Sequence, residues 1–258
     1  MMQAYIKAEG LKNRHTVSAK LFWAVPLVSL LISFLFSGQD AVYYQTNQYN
    51  WWYTTFFPML LLLSTAFTEQ REKRVKNRIM GTLPLDMKKL WAAKVIYSLK
   101  TLLYAALLLY CTQEIVSRIL AKGALRSISG MAGLAAVCLW LALSAWQVPL
   151  WLFMSRTCGY AAGLLLGLAG NIGLGILGAL SKWWFLNPFS YISRLMCPVL
   201  RILPNGLPAQ PGSQTFSPEV LDLWTIPVGV LISGVLFFIC FLVTANLYQR
   251  KGLRGWED

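Results

Sequence analysis

The residues in this chain that could do chemistry are few, and their spacing fails for the usual reactions. The only histidine, His15, precedes the first apolar run, so neither an HExxH zinc site nor a Ser-His dyad inside a membrane can be built around it. Asp40, Asp86, Asp222 and Asp258 all fall in connecting segments or at the terminus, which removes a paired-aspartate site. No GxxxxGK[ST] phosphate loop occurs, so ATP chemistry would have to come from another polypeptide. Cys111, Cys138, Cys158, Cys197 and Cys240 are scattered, odd in number and without metal spacing, and read as small packing residues.

What remains is a charged segment. Residues 69 to 94, EQREKRVKNRIMGTLPLDMKKLWAAK, set Arg71, Lys73, Arg74, Lys76, Arg78, Lys88, Lys89 and Lys94 against Glu69, Glu72 and Asp86. Gly81 ends a first helical portion. Pro84 and Asp86 suit the first turn of a second one, Asp86 being favourable at the positive end of a helix dipole. Leu83, Leu85, Leu90 and Trp91 then make an apolar tip that asks for a protein partner.

The elements around this segment are apolar. The chain is 57% hydrophobic and 13% charged, with a net charge of +13 and a mean hydropathy of +0.53. That low charged fraction argues against nucleic acid despite the basic balance. Six runs are long enough to be read as membrane-spanning helices: residues 20–36, 51–68, 95–115, 131–153, 159–180 and 225–247. A cleaved signal peptide is the alternative for the first run, and the charged residues before it argue against that. The expected fold is an all-α membrane protein.

Loop charge predicts orientation. The amino-terminal segment, the second and fourth connections and the carboxyl terminus carry sixteen Lys and Arg, against six on the other side. Both termini and the basic loop are therefore expected in the cytoplasm. The basic loop alone could also be a topology anchor or a patch for anionic lipid.

The charged segment MQAYIKAEGLKNRHT, the six runs, the loop after the second run and the long connection before the last resemble type-2 ABC exporter permeases. YNWWYTTFFP (49–58) with LPLDMKKLWAAK (83–94) is similar to lantibiotic-immunity permease subunits of the MutE/EpiE type. The resemblance covers essentially the whole chain as one permease domain, 1–258. It implies an interfacial elbow helix over 2–19, a cytoplasmic coupling loop over 69–94 and re-entrant external helices within 181–224. Leu83, Pro84, Leu85, Asp86, Lys88, Lys89, Leu90 and Trp91 would form the coupling helix that docks on an ATPase.

It further implies two ATPase subunits carrying ATP and magnesium, and a second, related permease or a second copy of this one. The implied substrate is a lantibiotic, expelled from the membrane of a Gram-positive bacterium to give self-immunity. This chain itself would bind no cofactor or metal and catalyse nothing. A permease for another hydrophobic drug, lipid or peptide, or a non-transporting membrane subunit, is the alternative.

Two further groups stand out. Gly159, Gly163 and Gly167 recur at four-residue spacing, which permits close helix approach in lipid either within the chain or, as the resemblance suggests, between two permeases. Trp51, Trp52 and Tyr53, with Trp183 and Trp184, would form an aromatic outer surface, either anchoring at the interface or gathering an amphipathic peptide. Asn171, Gln147, Thr54, Thr55, Ser64, Thr65 and Asn246 are polar positions in or near the runs, and none is a carboxylate. An ion-driven carrier normally needs an ionisable group at that depth, so a pump powered by partner ATPases fits better.

Overall fold

The computed structural model describes residues 2–37, 40–74, 85–121 and 128–253, and among these the architecture is all-helical apart from one isolated antiparallel bridge between Ile202 and Pro208. α1 (Met2–Asn13) turns at Arg14–Thr16 into α2 (Val17–Ser37), so residues 17–19 belong to the first long helix and not to a separate element spanning 2–19. α3 (Ala41–Trp51) runs through a π-helical turn (Trp52–Phe56) into α4 (Phe57–Arg74). α5 (Met87–Ala121) is one continuous helix of 35 residues. α6 (Gly130–Ser144) and α7 (Gln147–Thr157) follow. α8 (Tyr160–Leu168), a second π-helical turn (Ala169–Leu174) and α9 (Gly175–Gly178) form the next rod. Short 3-10 turns flank α10 (Tyr191–Leu200), and α11 (Thr225–Leu253) closes the chain.

Among the described residues four helical stretches, Val17–Ser37, Met87–Ala121, Tyr160–Gly178 and Thr225–Arg250, are long and apolar enough to cross a membrane. α6 and α7, bent by 45° at Ala145–Trp146, make a fifth if they form one span. The bend has a local cause: Pro149 has no N–H for the Ala145 carbonyl, which instead accepts from Val148 at 3.1 Å. Residues 51–68, the second of the six expected spans, are not among these helices. Their apolar run is bracketed in one helical path by Gln45, Thr46 and Gln48 of α3 and by Glu69, Arg71 and Glu72 of α4.

That path is the central post of the molecule. Trp52, Tyr53, Phe57, Leu60, Leu61, Leu62 and Ala66 are all buried. Pro58 lacks the N–H that would bond the Thr54 carbonyl, and the ladder widens here into the π turn, with Phe57 N–H reaching back to Trp52 O. By contrast α2 and α11 turn Leu31, Leu35 and Phe36, and Leu231, Phe238 and Leu242, outward. Such faces suit lipid, where helix association rests on packing and small or polar contacts and not on water exclusion.

At the end of the bundle that holds α3 and α10, Gln45 pairs with both backbone groups of Ile128 at 3.2 and 3.5 Å, and Tyr53 donates to Leu203 O at 3.5 Å. α10 is buried along nearly its whole length and ends at Arg201, in left-handed backbone at φ 58°.

Candidate functional site

The opposite end of the bundle is held by charge. Glu69 and Glu72 sit three residues apart near the end of α4 and so share a face. Lys94, two turns into α5, places its Nζ 2.7 Å from Glu69 Oε1 and in contact with Glu72 Oε2. Arg156, in the last turn of α7, donates from Nη1 to Glu69 Oε2 at 2.7 Å and to Glu72 Oε2 at 3.5 Å. Its guanidinium lies 4.7 Å from the ring centroid of Tyr248 in α11, and Lys94 Nζ lies 5.2 Å from the same ring. Lys94, Glu69 and Tyr248 have no exposed surface.

α1 completes the cluster. Glu9 is fully buried and pairs with Lys12 at 2.5 Å and with Arg71 at 3.7 Å. Lys12 also reaches Glu72 Oε1 at 3.3 Å, and Arg71 Nη1 donates to Asn13 Oδ1 at 2.7 Å. Three carboxylates and four cations thus tie α1, α4, α5, α7 and α11 together. Burial works against the charge of Glu72, and the attraction of Lys94, Lys12 and Arg156 outweighs it, so its pKa lies below the ordinary carboxylate value. Buried ion pairs contribute little net stability, but removing one member strands the others.

The loop residues expected to dock a partner adjoin this cluster, and the structure redistributes them. Leu83 and Pro84 lie outside the described residues. Leu85 is half-buried, while Asp86, Lys88 and Lys89 are exposed. Asp86 caps α5: its Oδ1 accepts from Lys89 N–H at 3.1 Å and its Oδ2 lies 2.8 Å from Lys89 Nζ, contacts that hold its pKa below the ordinary value. Asp86 N–H donates to Tyr5 Oη of α1 at 3.2 Å.

Leu90 and Trp91 are not part of an apolar tip. Both are buried, Trp91 donating to Thr244 Oγ1 at 3.1 Å and packing on Tyr248 at 4.8 Å between centroids. Residues 87–91 are the first turns of the long α5 and run on without a break into the rest of that helix. The accessible corner among the described residues is Leu85, Asp86, Lys88 and Lys89.

The glycine face of α8 is used inside the chain. A Cβ at Gly163 would stand 2.8 Å from Ser155 Oγ of α7, and one at Gly167 would overlap the side chain of Leu62 in α4. Of these three glycines Gly159 alone has no neighbour within 4 Å of an added Cβ, and its φ of +93° turns the chain between α7 and α8. Gly163 and Gly167 are therefore packed against Ser155 and Leu62 of the same chain.

The aromatic outer surface is also smaller than expected. Trp52, Tyr53 and Trp184 are buried, whereas Trp51 (37% exposed) and Trp183 (68%) face outward. Trp52 packs on Phe57 and Trp140, and Trp184 on Tyr191.

A second buried polar contact joins the two interrupted rods. Gln147 and Asn171 exchange hydrogen bonds at 2.9 and 2.8 Å, and Trp151 Nε1 donates to Gln147 Oε1 at 3.1 Å. Asn171 Nδ2 also donates to Gly167 O at 2.9 Å, filling the place of a backbone donor where the helix opens into its π turn.

The ion cluster is the feature that reading the loops as charge totals does not reveal. Its signals are present: Glu69 and Glu72 on one face of a continuing helix, Lys94 within the apolar run LWAAKVIY, and Arg156 as the lone charge between two apolar runs. Nothing in linear spacing says that they meet. Comparisons of this chain with family models, curated proteins and solved structures find no match.

Proposed function

We propose that this chain is the membrane subunit of an ATP-driven type-2 ABC exporter, oriented with both termini in the cytoplasm. The observation that carries the reading is the accessible corner at Leu85–Lys89. It sits at the head of α5, two turns from a buried cluster that binds five helices to one another. A push on that corner loads α5 directly, and through Lys94 it loads α1, α4, α7 and α11. This is the mechanical requirement of a subunit driven by a separate ATPase, and it agrees with a chain that has no phosphate loop of its own.

The finer reading, expulsion of a lantibiotic to protect its producer, rests on the resemblance of residues 49–58 and 83–94. Of the outer aromatics only Trp51 and Trp183 are available to such a peptide at the surface.

The test is to purify the chain with its native partners from membranes and to measure bound ATPase, ATP hydrolysis and protection of cells against a panel of lantibiotics. Leu85→Asp should keep the chain in the membrane while releasing the ATPase and abolishing protection, because docking would bury an unpaired carboxylate. Lys88→Glu with Lys89→Glu should weaken the association in a salt-dependent way, as for exposed rim charges. Full ATPase binding and full protection in Leu85→Asp would overturn the assignment.

A further inference from the structure

On the face of α1 turned away from the ion cluster lies a groove of about 620 Å³, walled by α1, α2 and α5. Most of its surface is apolar, contributed by Ile6, Leu11, Phe22 and the rings of Tyr97 and Tyr104. It holds two cations, Lys7 and Lys100, and no acidic side chain lines it among the described residues. Glu9, the carboxylate nearest Lys7 in sequence, is committed to Lys12 and Arg71 on the other face. Lys100 Nζ stands 5.4 Å from the Tyr104 ring centroid, which gives partial compensation only.

The depth of Lys100 sharpens the question of its counterion. It lies thirteen residues past Met87 in an unbroken helix, about 20 Å along the axis at 1.5 Å per residue. Gly10 of α1 faces Tyr97 of α5, one turn before Lys100, which fixes α1 beside this part of the span. A lysine there keeps its ammonium charged by reaching the headgroup layer or by meeting an anion. In a bilayer, the anion that also brings apolar chains for Leu11, Phe22 and Tyr104 is a phospholipid.

We propose that this groove binds one anionic phospholipid, its phosphate held between Lys7 and Lys100 and an acyl chain laid along Leu11, Phe22 and Tyr104. The bound lipid fills the space between α1 and the α2–α5 pair and fastens α1 to the bundle from the side opposite the ion cluster. The proposal is independent of the transport reading, since it requires only that α2 and α5 lie in a membrane.

The experiment uses the full chain in detergent with added phosphatidylglycerol or phosphatidylcholine, read by native mass spectrometry and by melting temperature. The wild-type protein should retain one phosphatidylglycerol in preference to phosphatidylcholine by at least tenfold, and only the former should raise the melting temperature. Lys7→Gln with Lys100→Gln should abolish the preference. Lys88→Gln with Lys89→Gln, the same charge change at the exposed corner, should leave it intact.

If the groove variant does not fold, two others decide the matter: Lys7→Arg with Lys100→Arg should keep the lipid, and Ala19→Trp should expel it with both charges in place. Equal retention of the two lipids by the wild type, or loss of the preference only in the corner variant, would overturn the proposal. So would cross-linking of Tyr104→Cys between two copies, which would show a second chain in the groove.

Discussion

Lys94 of α5 and Glu69 of α4 meet at 2.7 Å with no exposed surface on either side chain, and Arg156 holds the second oxygen of the same carboxylate at 2.7 Å. The bidentate use of Glu69 makes the three residues one unit. Lys94→Met leaves two buried carboxylates with one buried cation and should destabilise the protein by about 3–5 kcal/mol, the usual cost of breaking a buried pair. Adding Glu69→Gln should recover part of that loss, so the two changes will be far from additive. Denaturant or thermal unfolding of the four proteins in one detergent measures both quantities. A stability unchanged in Lys94→Met would show that the cluster is not closed in the folded protein.

Glu72 supplies a dependence on pH. Its folded pKa is depressed, so its ion pairs stabilise the protein at all pH values above the unfolded carboxylate range, and that contribution is lost as pH falls through the lowered folded value. The melting temperature should be level from about pH 8 to about pH 6 and fall once the pH drops below the ordinary carboxylate value of about 4.3. Glu72→Gln should lower the plateau and flatten the acid limb. An acid limb identical in the two proteins would assign the loss to other carboxylates.

The divide between what the sequence shows and what it hides runs along the distance of each interaction. Helical spans are local: α2, α5 and α11 are visible because each has its own apolar run. Residues 51–68 have such a run too, yet their place at the centre of the bundle depends on packing from all sides, which hydropathy does not register. Leu90 and Trp91 misled because an apolar residue beside a charged tip looks exposed until α11 and Tyr248 are brought against it. The glycine spacing was legible as a close-contact face, but its partner, whether Ser155 and Leu62 or a second subunit, was not.

That glycine face yields a prediction about stability. Gly163→Leu and Gly167→Leu should each destabilise the isolated chain by about 1–3 kcal/mol through overpacking against Ser155 and Leu62. Gly173→Leu, where an added Cβ meets nothing within 4 Å, should be tolerated. Gly167→Ala with Leu62→Ala should regain stability relative to Gly167→Ala alone. Normal melting of Gly163→Leu and Gly167→Leu, with loss of subunit pairing, would return these residues to an intermolecular role.

Orientation in the membrane is the last prediction. Sixteen Lys and Arg on one set of connections against six on the other predict cytoplasmic termini, although Lys94 and Arg156 are now seen to be committed to the ion cluster. The structure adds a constraint that charge counting lacks. α1, the head of α5, the end of α7 and Tyr248 of α11 all meet at the cluster, so these parts share one end of the bundle. Gln210 belongs to the segment packed at the other end, beyond α10. A chain with its five cysteines replaced and a single new one at Gln210 should therefore react with an impermeant thiol reagent in intact cells. Lys76→Cys and Lys88→Cys should react only in inverted vesicles. Labelling of all three in intact cells, or of the two lysine positions alone, would reverse the orientation and place the Leu85–Lys89 corner outside the reach of any cytoplasmic ATPase.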